Sequence, residues 1–290
     1  MLLSSKVPQG VRSSGLRNVN LLPRSLPRSS LRVRASAEYE ALRGKVAYKA
    51  SSGDPVDLLS LWEPYPTSKA VIPFLTHFAD LTSWEFAQKL VKLIPILEGS
   101  GVRVFAVGLG SVSNAQEFAR TLNFPLDRLY ALPEPSLYRD LGFSAGFAPE
   151  LDVSPYLKLL PMLAGVGSPG TLQEVIRGYL GDQTAKPVFD SPTPFDVLGP
   201  GYQRPFELAT LRLFNMMGIL PKWSELCPPD PRLLTQQGGC LVFSGEQVLL
   251  KHVDSGILRY ADVDDILKAA LQADYAPTSS VVAAAEVLEE

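Results

Sequence analysis

An unbroken apolar run, Val71 to Phe78 (VIPFLTHF), passes through a short turn, Ala79-Asp80-Leu81-Thr82-Ser83-Trp84-Glu85, into a helix-patterned stretch, Phe86 to Leu97 (FAQKLVKLIPIL). Gly99-Ser100-Gly101 ends that helix, and a second β-branched run, Val102 to Leu109 (VRVFAVGL), follows. A run that is apolar on both faces suits a buried parallel strand. The rhythm continues with an amphipathic stretch at Asn114 to Leu122, a strand at Arg128 to Leu132 and a short helix at Pro135 to Leu141. Strands that alternate with helices in this way predict an α/β fold with right-handed crossovers.

The flanks are less regular. Tyr39 to Arg43 reads as a helical turn, and Val46 to Ala50 and Pro55 to Trp62 as two strands around Ser51-Ser52-Gly53-Asp54. Residues 143 to 235 break the rhythm with many prolines and glycines, and are expected to form a helical insertion. Within them, Tyr156 to Leu163 leads to a glycine-rich loop, Gly165 to Gly170, and a helix at Thr171 to Tyr179. Pro205 to Gly218 (PFELATLRLFNMMG) has apolar residues at helical spacing and is expected to pack on the sheet as core. Cys240 to Phe243 and Gln247 to Val253 flank Ser244-Gly245-Glu246, a hairpin signal. Ala261 to Leu271 is the last helix, with Asp262 as its cap, and residues 275 to 290 read as a loose acidic tail.

Composition removes several function classes. No apolar stretch approaches eighteen residues, so no transmembrane segment is expected. Residues 1 to 35 hold seven basic residues, no acidic one and many serines, the composition of an organelle transit peptide. Val33-Arg34-Ala35-Ser36-Ala37 resembles a chloroplast processing site, which places the mature protein in the chloroplast stroma. The chain has 27 basic and 30 acidic residues; without the seven leader charges it has 20 against 30, or −10. So acidic a body argues against nucleic acid as a partner. Two cysteines, Cys227 and Cys240, and two histidines, His77 and His252, make neither a disulfide framework nor an ordinary zinc site. The Gly165 to Gly170 loop lacks the Lys-Ser/Thr of a P-loop and the spacing of a dinucleotide fingerprint, so no cofactor is expected.

Two blocks carry a family likeness. One is VIPFLTHFADLTSWEFAQKL with VRVFAVGLGS; the other is Leu234 to Phe243 (LTQQGGCLVF) with Lys251 to Asp262 (KHVDSGILRYAD). Together they resemble the peroxiredoxin-like AhpC/TSA branch of the thioredoxin superfamily, which includes the prostamide/prostaglandin F synthase relatives. Gly165 to Gly170 and Gly201 to Glu207 (GYQRPFE) resemble a plant, algal and cyanobacterial subgroup. The likeness spans residues 44 to 272. It implies a thioredoxin-like fold: a mixed central sheet flanked by helices, with the insertion at 143–235 as a helical cap. Active members carry Cys-x-x-Cys, or one Cys, in the turn. Those positions fall here on Asp80 and Ser83, and a serine hydroxyl does not cycle through sulfenic acid.

The candidate residues follow. Thr82-x-x-Glu85 has the form of a capping box. Asp80, Thr82 and Ser83 could instead bind a polar ligand at the helix start, with His77 beside them and Arg204 facing an anion from the insertion. Cys240 and Cys227 are the thiols that could replace the missing pair, either as core residues or as redox groups. His252 and Asp254, two residues apart on one strand, do not set up a triad with Ser83. Three readings remain: a redox-inactive binding protein, an antioxidant oxidoreductase using Cys240 or Cys227, and another enzyme using Asp80 and Ser83 on a small ligand. Partner, ligand and oligomeric state stay open.

Overall fold

The central strand, β3 (Lys69–His77), is the first apolar run. In the computed structural model, which describes residues 34–63, 65 and 67–272, it is buried on both faces. Val71 and Leu75 enter one core while Ala70, Ile72 and Phe74 enter the other, as period-two alternation requires. On one side β3 runs parallel to β4 (Arg103–Val104) and β5 (Ala106–Leu109); on the other it pairs antiparallel with β7 (Gly239–Ser244). Pro73 has no N–H to give, and the neighbouring strand breaks at Phe105, opposite Ile72 and Pro73. Next to β5 lies parallel β6 (Leu129–Leu132), then antiparallel β1 (Val46–Lys49) and β2 (Pro55–Asp57). The other edge is β8 (Gln247–Val253), joined to β7 by the expected hairpin.

Helices cover both faces. The first core lies under α2 (Leu81–Gly99), α3 (Val112–Leu122) and α9 (Val263–Leu271), the last capped by Asp262 as expected. The second lies under α1 (Ala37–Leu42) and α4 (Ser136–Asp140). This mixed sheet between helices is the thioredoxin-like fold that the resemblance implies. One expectation fails locally. The strand expected from Pro55 to Trp62 stops at Asp57, whose side chain accepts from Leu59 N–H and starts a 3₁₀ turn at Leu58–Leu61. Residues 1–33 of the expected transit peptide, and the tail at 275–290, lie outside the described residues.

Residues 143–235 hold α5 (Pro155–Leu163), α6 (Thr171–Leu180), α7 (Glu207–Ile219) and the short α8 (Trp223–Leu226). α6 packs on α7, and α7 on α2. The apolar stripe of α7 was expected to face the sheet, and it does so only in part. Arg212, Asn215 and Ile219 point inward, while Leu213, Phe214, Met217 and Leu220 point out. Polar partners select that orientation. Asn215 exchanges amide hydrogen bonds with Gln88 of α2 (2.8 and 3.1 Å), and Arg212 reaches Glu85. Buried polar groups must be paired, whereas either side of α7 offers enough leucine and methionine to pack. Among the described residues, no helix is long and apolar enough to cross a membrane.

Candidate functional site

β3 ends at His77, and Phe78 and Ala79 turn the chain into Asp80, the N-cap of α2. Phe78 packs over Gly108 of β5, where an added Cβ would lie 2.6 Å from its ring. Trp84 donates its indole N–H to the Phe78 carbonyl (2.8 Å), which ties the first turn of α2 back to the strand end. The turn is thus held from both sides.

The side chains within it form a hydroxyl chain. Thr76 donates to Asp80 Oδ2, and Ser83 Oγ lies 2.7 Å from Thr76 Oγ1. Thr76 has one hydroxyl proton, so Ser83 must be the donor to Thr76. Thr76 is 2% exposed and Ser83 1%. The helix start is not a Thr82–Glu85 capping box. Asp80 is the N-cap and makes no side-chain cap bond, while Thr82 and Glu85 sit inside α2 and serve distant segments. Thr82 Oγ1 accepts from Leu258 N–H (3.1 Å). Glu85 accepts from Arg212 (2.9 Å) and from the Tyr260 hydroxyl (2.6 Å). Arg212 also donates to the Glu174 carbonyl (2.7 Å), and Glu174 pairs with Arg259 (2.9 Å). A buried polar network therefore clamps the insertion onto the first turn of α2. The sequence offered no local sign of it, because Glu85 and Arg212 are 127 positions apart.

The other candidates lie as follows. His77 is buried beside the turn, with its ring edge toward Trp223 and no partner for Nδ1 among the described residues. Burial pushes its imidazole below its ordinary range, partly opposed by Asp80 and the Leu234 backbone. Arg204 does not face the turn. It is buried within the insertion, paired with Glu207 (2.6 Å) and with Asp196. Its own helix start supplied the acid that claimed it.

Cys240 lies in β7, in register with Pro73 and His252, and is fully buried. Burial, with Asp254 adding, pushes its thiol far above the ordinary range. Cys227 follows α8 half-buried, and burial raises its thiol too. Both are free thiols. A thiol attacks as its thiolate, so both environments oppose attack.

Asp254 is a further buried acid, beside His252. Asp254 lies 3.3 Å from His252 Nε2, but that N–H is directed at the Arg259 carbonyl (2.8 Å). Asp254 Oδ1 thus has an ion-pair contact without an aligned hydrogen bond. Burial pushes the Asp254 carboxyl up to about 6. Burial alone would lower His252, but Asp254 and the Arg259 carbonyl outweigh it and leave the imidazole raised. Ser83 bonds to Thr76 and not to His252, so no catalytic triad forms. Two open hollows, of about 400 and about 330 Å³, lie elsewhere, one between Asn114 and Glu225 and one between Lys69 and Gln272. Among the described residues, no group of three His, Cys, Asp or Glu side chains could hold a metal ion.

Comparison with known proteins places this geometry in a family. The pattern of the AhpC/TSA antioxidant enzyme family matches residues 89–256, more than half of the chain, beginning just after the Asp80–Ser83 turn. A thioredoxin-like protein of Arabidopsis thaliana, AAED1, described as chloroplastic, is 27% identical over 108 residues. That match covers 37% of this chain and 42% of that protein, so the chain aligns with less than half of its relative's length. With a thioredoxin-like sheet, helices on both faces and a family match across most of them, the chain belongs to the AhpC/TSA antioxidant enzyme family.

Proposed function

We propose that this chain is a plastid member of the family that has lost thiol chemistry at the strand–helix turn and acts by binding a small molecule or a protein. The observation that carries the reading is the Ser83–Thr76–Asp80 hydroxyl chain, which stands where the resemblance places the family's thiols. Neither a serine hydroxyl nor an aspartate can be oxidised to sulfenic acid and reduced again. The remaining thiols, Cys240 and Cys227, are both held in their protonated form by burial. The plastid location rests on the basic leader and on the chloroplastic description of the Arabidopsis relative.

The test is steady-state peroxide consumption by the purified chain, with thioredoxin or glutathione as reductant. Turnover at the protein-free background, unchanged in Cys240→Ser and Cys227→Ser, is the expected result. Turnover above background that disappears in Cys240→Ser or Cys227→Ser would replace this reading with an antioxidant oxidoreductase. For the compartment, import into isolated chloroplasts should yield a protein processed between Arg34 and Ala37; a chain left outside or uncut contradicts the location.

A further inference from the structure

The insertion helices bury polar side chains beside Met162, Leu208 and Ile219 and leave most of their large apolar side chains outside. α6 buries Thr171 and Glu174 and exposes Leu172, Ile176, Tyr179 and Leu180, the last to 71%. α7 buries Arg212 and Asn215 and exposes Leu213, Phe214, Met217 and Leu220. α5 follows suit, with Lys158 buried and Leu157 and Leu160 more than 60% exposed. An ordinary surface helix turns its apolar stripe to the core and its polar face to water. On α6 and α7 the inward polar positions are occupied by the Glu85–Arg212–Glu174 network, which leaves Leu172, Ile176, Leu213 and Phe214 outward.

The exposed faces of α6 and α7 adjoin. α5 packs on α6 and α6 on α7, and Tyr179 at the end of α6 meets Phe206 at the start of α7 edge to face, 6.0 Å between ring centres. Summed over the three helices, some dozen large apolar side chains, each about half exposed, leave apolar surface on the order of 1,000 Å² open. The largest patch on a typical monomer is about 300–600 Å². A standard stable interface takes about 800 Å² from each partner.

We infer that this α5–α6–α7 face is a homodimer interface and that its occupant is a second copy of the same face. The area suffices for a stable dimer, and side chains of Leu, Ile, Met, Phe and Tyr without charge match the obligate class of interface. A two-fold axis brings such a patch onto itself and closes the assembly. A lipid surface fits less well. An interfacial helix needs a basic polar face, whereas the polar faces of α6 and α7 are buried, and the chain without its leader carries −10.

Sedimentation velocity of the full chain tests the inference. The wild type should be dimeric at about 10 µM, because interfaces of this size bind at about 1 µM or tighter. Phe214→Glu and Leu180→Glu should each give a monomer with an unchanged far-UV circular dichroism spectrum. Leu160→Asp on α5 repeats the test on a separate helix should either variant fail to fold. A wild type that stays monomeric at about 100 µM overturns the inference. So does a dimer that survives all three substitutions, which would place the contact elsewhere. A monomer that co-floats with phosphatidylcholine vesicles would give the face to lipid instead.

Discussion

At the scale of single residues, the turn depends on Thr76. Its hydroxyl links Ser83 to Asp80; Thr76 and Ser83 are buried away from water that could replace the bonds, while Asp80 is half-buried. Thr76→Val keeps the volume but leaves the Ser83 hydroxyl and an Asp80 oxygen without their partner. It should cost about 1–3 kcal/mol in urea unfolding, the penalty of stranded polar groups. Ser83→Ala removes only the terminal donor and leaves the Thr76–Asp80 bond, so about 0.5–1.5 kcal/mol is expected. The reverse order of the two variants would contradict the direction assigned to the chain. Asp254 and His252 set a pH dependence. Both are raised in the folded chain, Asp254 to about 6, from unfolded values near 3.9 and 6.5. Their contribution to stability is therefore complete below about pH 4 and is lost as pH rises through 6 and beyond. Relative to wild type, Asp254→Asn should gain about 1–2 kcal/mol between pH 5 and pH 8. Parallel stability profiles for the two proteins would rule this pair out as the source.

At the scale of elements, a buried charge cluster helps fasten α6 and α7 to α2. Arg212 is held between Glu85 of α2 and the end of the Glu174 network, and the Arg212 and Glu85 side chains are 9% and 1% exposed. Arg212→Met leaves Glu85 with only the Tyr260 hydroxyl and should cost about 3–5 kcal/mol, measured by urea unfolding. The double variant Glu85→Leu/Arg212→Met should recover most of that loss, since apolar replacements of both partners are often tolerated. Equal loss in the single and double variants would mean that the cluster does not hold the cap. The same cluster joins residues 127 positions apart, beyond the reach of local sequence patterns. β3, α2, β5, the β7–β8 hairpin and the Asp262 cap of α9 were legible because each is written in neighbouring residues. Glu85 looked like a capping residue because its local spacing fits one, while its actual partner arrives from α7. α7 is apolar on both sides, so periodicity could not choose its inward face; Arg212 and Asn215 chose it. Arg204 could face an anion by sequence alone, but Asp196 and Glu207 enclose it in the fold.

At the scale of the whole molecule, the fold is thioredoxin-like and its β3–α2 turn carries hydroxyl and carboxyl groups. The sheet, the helix start and the family match are all present, and the match begins only after the turn has passed. Arg212 of α7 reaches Glu85 just after that turn, and α5, α6 and α7 expose large apolar side chains. A member that binds rather than turns over would use surface of that kind. Peroxide trapping tests the central claim most directly: the native chain is treated with hydrogen peroxide and dimedone, and its intact mass and peptide map are recorded. The account predicts no sulfenic acid adduct on Cys227 or Cys240 until the chain is unfolded in denaturant. A rapid adduct on either cysteine of the folded protein would contradict it.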